Sequence, residues 1–109
     1  MVSLDASGEA ACDKNCPVRK TARIIEGKWT TLIIRELLGG SRRYSELQRG
    51  LQGISPKVLA VRLRFLAEQG LIERTVYDTI PPTTEYALTD KGKRFEQVIQ
   101  AMADFGDLL

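Results

Sequence analysis

Lys57, Ala60, Val61 and Arg64 recur at three- and four-residue spacing, so on an α-helix they share one side. Their side chains suit one chemistry. A guanidinium forks onto the two acceptors of a guanine edge, an ammonium adds a point charge, and small apolar groups lie against thymine methyls. Ser55-Pro56 just upstream sets the helix start, with Ser55 as N-cap and Pro56 at the first helical position. The competing reading of Lys57 and Arg64 is a merely solvated face.

Cys16 is the second reactive candidate. It directly precedes Pro17, so it falls at a helix N-cap, where the dipole and free N–H groups favour a thiolate, aided by Arg19 or Lys20 one turn on. A small inert cap residue is the alternative. Cys12 could resolve an oxidised Cys16, or the two could pair across a dimer.

Other chemistries are missing their parts. Histidine is absent, which removes His-based triads and the commonest metal ligand. Two cysteines four positions apart are too few for a structural zinc site. Gly39-Gly40 ends a helix and does not open one, so it is no phosphate loop. The chain reads as a non-enzyme without a cofactor.

The elements that would position these residues are legible from periodicity and breakers. Pro17 to Glu26 forms a first helix closed by Gly27, with Val18, Ala22 and Ile25 on one face. Trp29 to Leu38 is apolar nearly all round, which places it at the centre of a small bundle. Ser45-Glu46-Leu47-Gln48 opens a short helix with a capping box between Ser45 and Gln48. Gly53 breaks the chain, and the helix from Ser55 runs to Gly70 with Leu59, Leu63 and Leu66 as its buried ridge. Segments 71–77 and 83–88 flank Pro81-Pro82 as a hairpin. A last helix, capped by Thr89, carries a stripe of Phe95, Val98, Ile99, Met102 and Phe105. The predicted fold is mainly α (α+β): a winged helix-turn-helix of about five helices with a two-stranded β-wing. Residues 1–15 read as a flexible tail and 16–109 as the domain.

Composition agrees. The chain has 109 residues, 43% hydrophobic and 28% charged, with a net charge of +2. No apolar run approaches the roughly 18 residues of a membrane span, and the N-terminus lacks signal-peptide features, so a cytoplasmic location away from membranes is expected. Charge is unevenly spread: −2 over residues 1–16, +7 over 17–74 and −3 over 95–109. A positive middle between acidic ends suits phosphate binding. Arg42 and Arg43 sit at the entry to the helix of Ser45, where they could add donors for one phosphate. Tyr44 beside them is either a contact or a hydrophobic staple. Arg74 on the first wing strand could reach the backbone, whereas the wing tip, residues 78–84, has no Lys or Arg. The last-helix stripe either folds onto its own core or faces a second copy. A dimer is favoured, because winged-helix regulators commonly read two half-sites about a two-fold axis.

Several short motifs together resemble the HxlR-type winged helix-turn-helix regulators, relatives of the MarR group. They are Cys16-Pro17-Val18, Glu26-Gly27-Lys28-Trp29, Leu37-Leu38 before Gly39-Gly40, and Arg43-Tyr44-Ser45-Glu46-Leu47. Gly53-Ile54-Ser55-Pro56-Lys57, Gly70-Leu71-Ile72-Glu73-Arg74, and Pro81-Pro82 with Glu85-Tyr86 complete the set. The match spans about residues 16 to 106. The resemblance implies a homodimeric transcription factor, joined through its first and last helices (Val18, Ala22, Ile25, Phe95, Val98, Ile99, Met102 and Phe105). The helix at 55–69 would read double-stranded DNA at a pseudo-palindromic operator, most often as a repressor. It also implies that a cysteine at the place of Cys16 senses oxidants or electrophiles. Thr83 stands where such wings often carry a cation. Arg62 and Phe65 replace common polar or acidic residues, a difference that suggests altered operator preference. The rival readings are a winged-helix protein-interaction module that binds no DNA, and a regulator with a small-molecule effector at the dimer interface.

Overall fold

A computed structural model describes residues 15–109, and Cys12 lies outside them. Helix α1 (Pro17–Ile25) starts with Cys16 at its N-cap and Pro17 at N1. It ends before Gly27, whose φ of 85° is open to glycine and strained for other residues. Helix α2 (Lys28–Leu38) follows and forms the centre of the molecule, with Ile33 and Ile34 at 0% exposure. Packed around it are Leu47, Leu51 and Ile54 from one side, Leu59, Leu63 and Leu66 from a second, and Tyr86, Leu88 and Phe95 from a third. The all-round apolar character of this helix thus has its expected cause. Trp29 is half-buried against the same core, with the Lys28 ammonium 4.6 Å from its ring centroid.

The Thr30 hydroxyl of α2 is buried and lacks a hydrogen-bond partner among the described residues. A buried hydroxyl in that state is a net cost. Replacing Thr30→Val, which keeps the shape, should therefore leave stability level or raise it by up to about 1 kcal/mol. The check is the urea midpoint at constant slope; a clear fall would show that the hydroxyl is satisfied.

Strand β1 (Arg42–Arg43) leads into α3 (Tyr44–Gly50), and α4 (Pro56–Glu68) follows. Strands β2 (Ile72–Tyr77) and β3 (Thr83–Leu88) form the wing. The sheet is antiparallel in the order β1-β3-β2, so the wing has a third strand that the sequence reading lacked. Two residues are too few for a period-2 pattern to register.

Two further differences concern helix ends. The start of α3 lies at Arg43, and the reach-back bond runs from the Arg43 N–H to Glu46 Oε1 at 2.8 Å, replacing the expected Ser45–Gln48 box. Beginning the helix at Tyr44 lets β1 end directly in its first turn. The expected single terminal helix is divided into α5 (Asp90–Lys93), capped by the Thr89 hydroxyl, and α6 (Glu96–Gly106). At the join, Arg94 and Phe95 donate to carbonyls three residues back. That tighter winding turns Phe95 into the core, where it is 8% exposed. No helix among the described residues is long and apolar enough to cross a membrane.

Candidate nucleic-acid interface

The site is built on α4. Ser55 Oγ accepts from the Val58 N–H at 3.1 Å and Pro56 occupies N1, so the helix start is fixed as the sequence suggests. Leu59, Leu63 and Leu66 are 0–2% exposed and hold the opposite face against α2 and the sheet. Lys57, Ala60, Val61 and Arg64 are consequently all turned to solvent, Val61 at 48%. An exposed valine flanked by cations on a rigid helix is the contact set a groove wall would meet.

Tyr44 is half-buried, and its phenol donates to the Pro56 carbonyl at 3.0 Å. Its one proton thus ties the start of α3 to the start of α4, a job the sequence reading did not give it. Tyr44→Phe should cost about 0.5–1.5 kcal/mol of stability. It should also broaden the Lys57 amide signal in heteronuclear NMR spectra, and an unchanged spectrum would show that the bond positions nothing.

The wing brings a further cation to the same place. Arg74 on β2 lies opposite Tyr86 on β3, and Ala60, Arg64, Arg74 and Tyr86 line one recess of about 410 Å³ between α4 and the sheet. Cross-strand partners share a face, so the buried Tyr86 ring forms a floor beneath two guanidinium-bearing walls. Tyr86 itself escaped the sequence analysis, because one aromatic in a short strand carries no positional signal.

Arg42 and Arg43 do not act as a pair. Adjacent strand residues point to opposite faces, and here Arg42 lies opposite Tyr86 while Arg43 lies opposite Glu85. Arg42 is half-buried and donates to the Ser41 carbonyl at 3.0 Å, its guanidinium folded over Gly39 and Gly40. Glu46 meanwhile puts a carboxylate at the α3 N-terminus, where an anion would be repelled. The structure thus does not bring the two guanidiniums together, and of the pair Arg43 is the exposed one.

Arg62 and Phe65 also face away from the reading side. The Arg62 guanidinium packs over Gly27 in the α1–α2 turn, and Phe65 packs against the core. Both therefore belong to the junction with α1 and lie away from the face expected to read an operator.

The predicted dimer surface divides likewise. Val18, Met102 and Phe105 are 51%, 42% and 63% exposed, and Ala22 is exposed as well. Ile25, Val98 and Ile99 pack partly on their own core, and Phe95 is buried in it, so Phe95 leaves the set. Leu108 and Leu109, not anticipated, extend the apolar end of the chain. Cys16 is 5% exposed at the α1 N-cap, and its carbonyl accepts from the Lys20 N–H.

The model of the HxlR-like helix-turn-helix family matches residues 24–109, which include every element from α2 onward. The chain belongs to that family. Among its relatives, an HTH-type transcriptional regulator of Synechocystis sp. is 42% identical over 91 residues, covering 84% of this chain and 67% of the relative. A crystal structure assigned to the MarR family of transcriptional regulators, from Porphyromonas gingivalis W83, superposes with a TM-score of 0.83 at 44% identity, covering 87% of this chain and 93% of that one. The redox regulator HypR in its oxidised form gives a TM-score of 0.79 at 33% identity, over 86% and 97% of the two chains. The winged helix-turn-helix fold and the membership in a family of transcriptional regulators expected from sequence are thereby established.

Proposed function

We propose that this HxlR-like chain is a non-enzymatic, sequence-specific DNA-binding repressor that acts in the cytoplasm as a homodimer, with residues 16–109 as its single winged-helix domain. The observation that carries the reading is the solvent-facing set Lys57, Ala60, Val61 and Arg64 on a helix whose other side is locked into the core. Arg74 reinforces it from the wing, while Ser55 and Pro56 hold the helix start at which a phosphate would dock. The exposed Val18, Ala22, Met102 and Phe105 supply apolar surface for a second copy, and a two-fold pair presents two reading helices about one DNA turn, roughly 34 Å, apart. Selection from random duplexes tests this. Enrichment of an inverted repeat is expected; recovery of no preferred sequence would favour the protein-interaction module.

Likeness to HypR supports a second element of the proposal, that Cys16 makes DNA binding respond to oxidants or electrophiles. Cys16 sits at the α1 N-cap, and oxidation to a disulfide would pass two electrons and two protons to the oxidant, with Cys12 or a second copy as partner. At 5% exposure, reaction needs α1 to open, so slow modification is expected. DNA binding that is insensitive to diamide in both the parent and Cys16→Ser would remove this element alone.

A further inference from the structure

Each of the three tyrosines has one phenolic proton to give. Tyr44 donates to the Pro56 carbonyl and Tyr77 to Glu85 Oε1 at 3.3 Å. Tyr86, the most buried of the three at 8% exposure, has no hydrogen-bond partner for its phenol among the described residues. Its oxygen is not sealed in the core as the Thr30 hydroxyl is, so it opens on the recess of about 410 Å³ that Tyr86 lines between α4 and the sheet. A buried phenol ordinarily finds a partner inside the protein. One that faces a hollow is left for a ligand.

The rest of the hollow says which ligand. Arg64 on α4 and Arg74 on β2 line it, and no carboxylate does. Arg42, the other cross-strand neighbour of Tyr86, keeps its guanidinium over Gly39 and Gly40, so Arg74 supplies the charge from the sheet. Ala60, Leu63 and Ala67 form an apolar wall along α4. Converging donors of positive charge call for an anionic group of acceptors only. The apolar wall beside them suits the carbon face of a sugar.

We propose that this recess seats one deoxyribose-phosphate unit of the DNA backbone, with the Tyr86 phenol donating to a phosphate oxygen and Arg74 balancing its charge. The inference rests on the DNA-binding reading and deepens it. Tyr86 is a positioning residue: a phosphate held between sheet and helix fixes the register of α4, while Arg64 at the same recess is left to the bases. None of the residues lining the hollow belongs to the surface assigned to a second copy.

Fluorescence anisotropy on duplexes carrying one uncharged methylphosphonate at successive positions tests the seat. Tyr86→Phe keeps the ring and removes a proton that no described residue accepts, so its thermal transition should match that of the parent. On selected and random duplexes alike it should bind about tenfold more weakly. Its slope of log affinity against log salt should not change, whereas Arg74→Gln should lower that slope by about one unit. One phosphate in each half-site should prove sensitive, its neutralisation weakening the parent about tenfold and Tyr86→Phe far less. Parent-like binding by Tyr86→Phe overturns the proposal, as do losses from variant and methylphosphonate that multiply at every position. A lowered Tm for Tyr86→Phe overturns it too, because the phenol would then have a partner within the fold. Inorganic phosphate that raises the Tm of the parent alone, with no sensitive position on DNA, would make the hollow a free-anion site and end its assignment to DNA. If selection yields no preferred sequence while one phosphate still depends on Tyr86, base reading fails and the seat stands; absence of any DNA binding removes both.

Discussion

Arg64→Ala is expected to weaken operator binding by about 1–3 kcal/mol while leaving binding to random duplex nearly unchanged, so that sequence preference relaxes. The reason is positional. Arg64 lies on the exposed side of α4, one turn beyond Val61 and Ala60, where a bidentate fork would meet a base edge under the proposed function, and it shares its recess with Arg74. Arg43, exposed at the sheet edge beside the α3 start and off the face that carries Arg74, is proposed to touch DNA only at the sugar-phosphate backbone. Arg43→Ala should consequently weaken all DNA alike and reduce the slope of log affinity against log salt by about one unit. Fluorescence anisotropy on both duplexes at two salt concentrations separates the cases. Equal losses on operator and random DNA for Arg64→Ala would demote that side chain to a phosphate contact.

Gly92→Ala is expected to destabilise the fold by about 1–3 kcal/mol or more, lowering Tm by roughly 4–8 °C per kcal/mol. A Cβ at Gly92 would overlap the Leu71 carbonyl oxygen and come within 3.0 Å of its carbon and 3.1 Å of Leu88 Cδ2. Backbone cannot swing aside as a flexible side chain can, so α5 would have to lift from the start of β2. The Thr89 N–H bond to the Leu71 carbonyl at 3.0 Å would be strained by the same displacement. Gly106→Ala is the matched control, since nothing among the described residues lies within 4 Å of its would-be Cβ; it should be neutral or mildly stabilising. A tolerant Gly92→Ala would mean that the α5–β2 contact is looser than its geometry implies.

What was legible in the sequence was what periodicity and breakers encode. The ridge of Leu59, Leu63 and Leu66, the Ser55-Pro56 start and the two long wing strands all follow from local chemistry, and the structure has them. Less legible was anything decided by contacts between distant residues. Arg42 and Arg43 look equivalent in a row, yet pairing with β3 sends them to opposite faces. Tyr44 reads as a staple or a contact, while its actual partner, the Pro56 carbonyl, is twelve residues away. Gly92 carries no sequence mark at all, because its constraint is a carbonyl of Leu71 brought there by the fold. Phe95 fits the apolar stripe of the last helix, but a local tightening at Arg94 turns it inward.

Hydroxyl-radical footprinting on a selected duplex bears most directly on the central idea, that two copies offer their α4 surfaces to one side of the double helix. Two protected patches are predicted, related by a two-fold axis and roughly 10 base pairs apart, both vanishing when Lys57 and Arg64 are replaced together by Ala. Uniform protection along the duplex, or protection that survives those replacements, would contradict it.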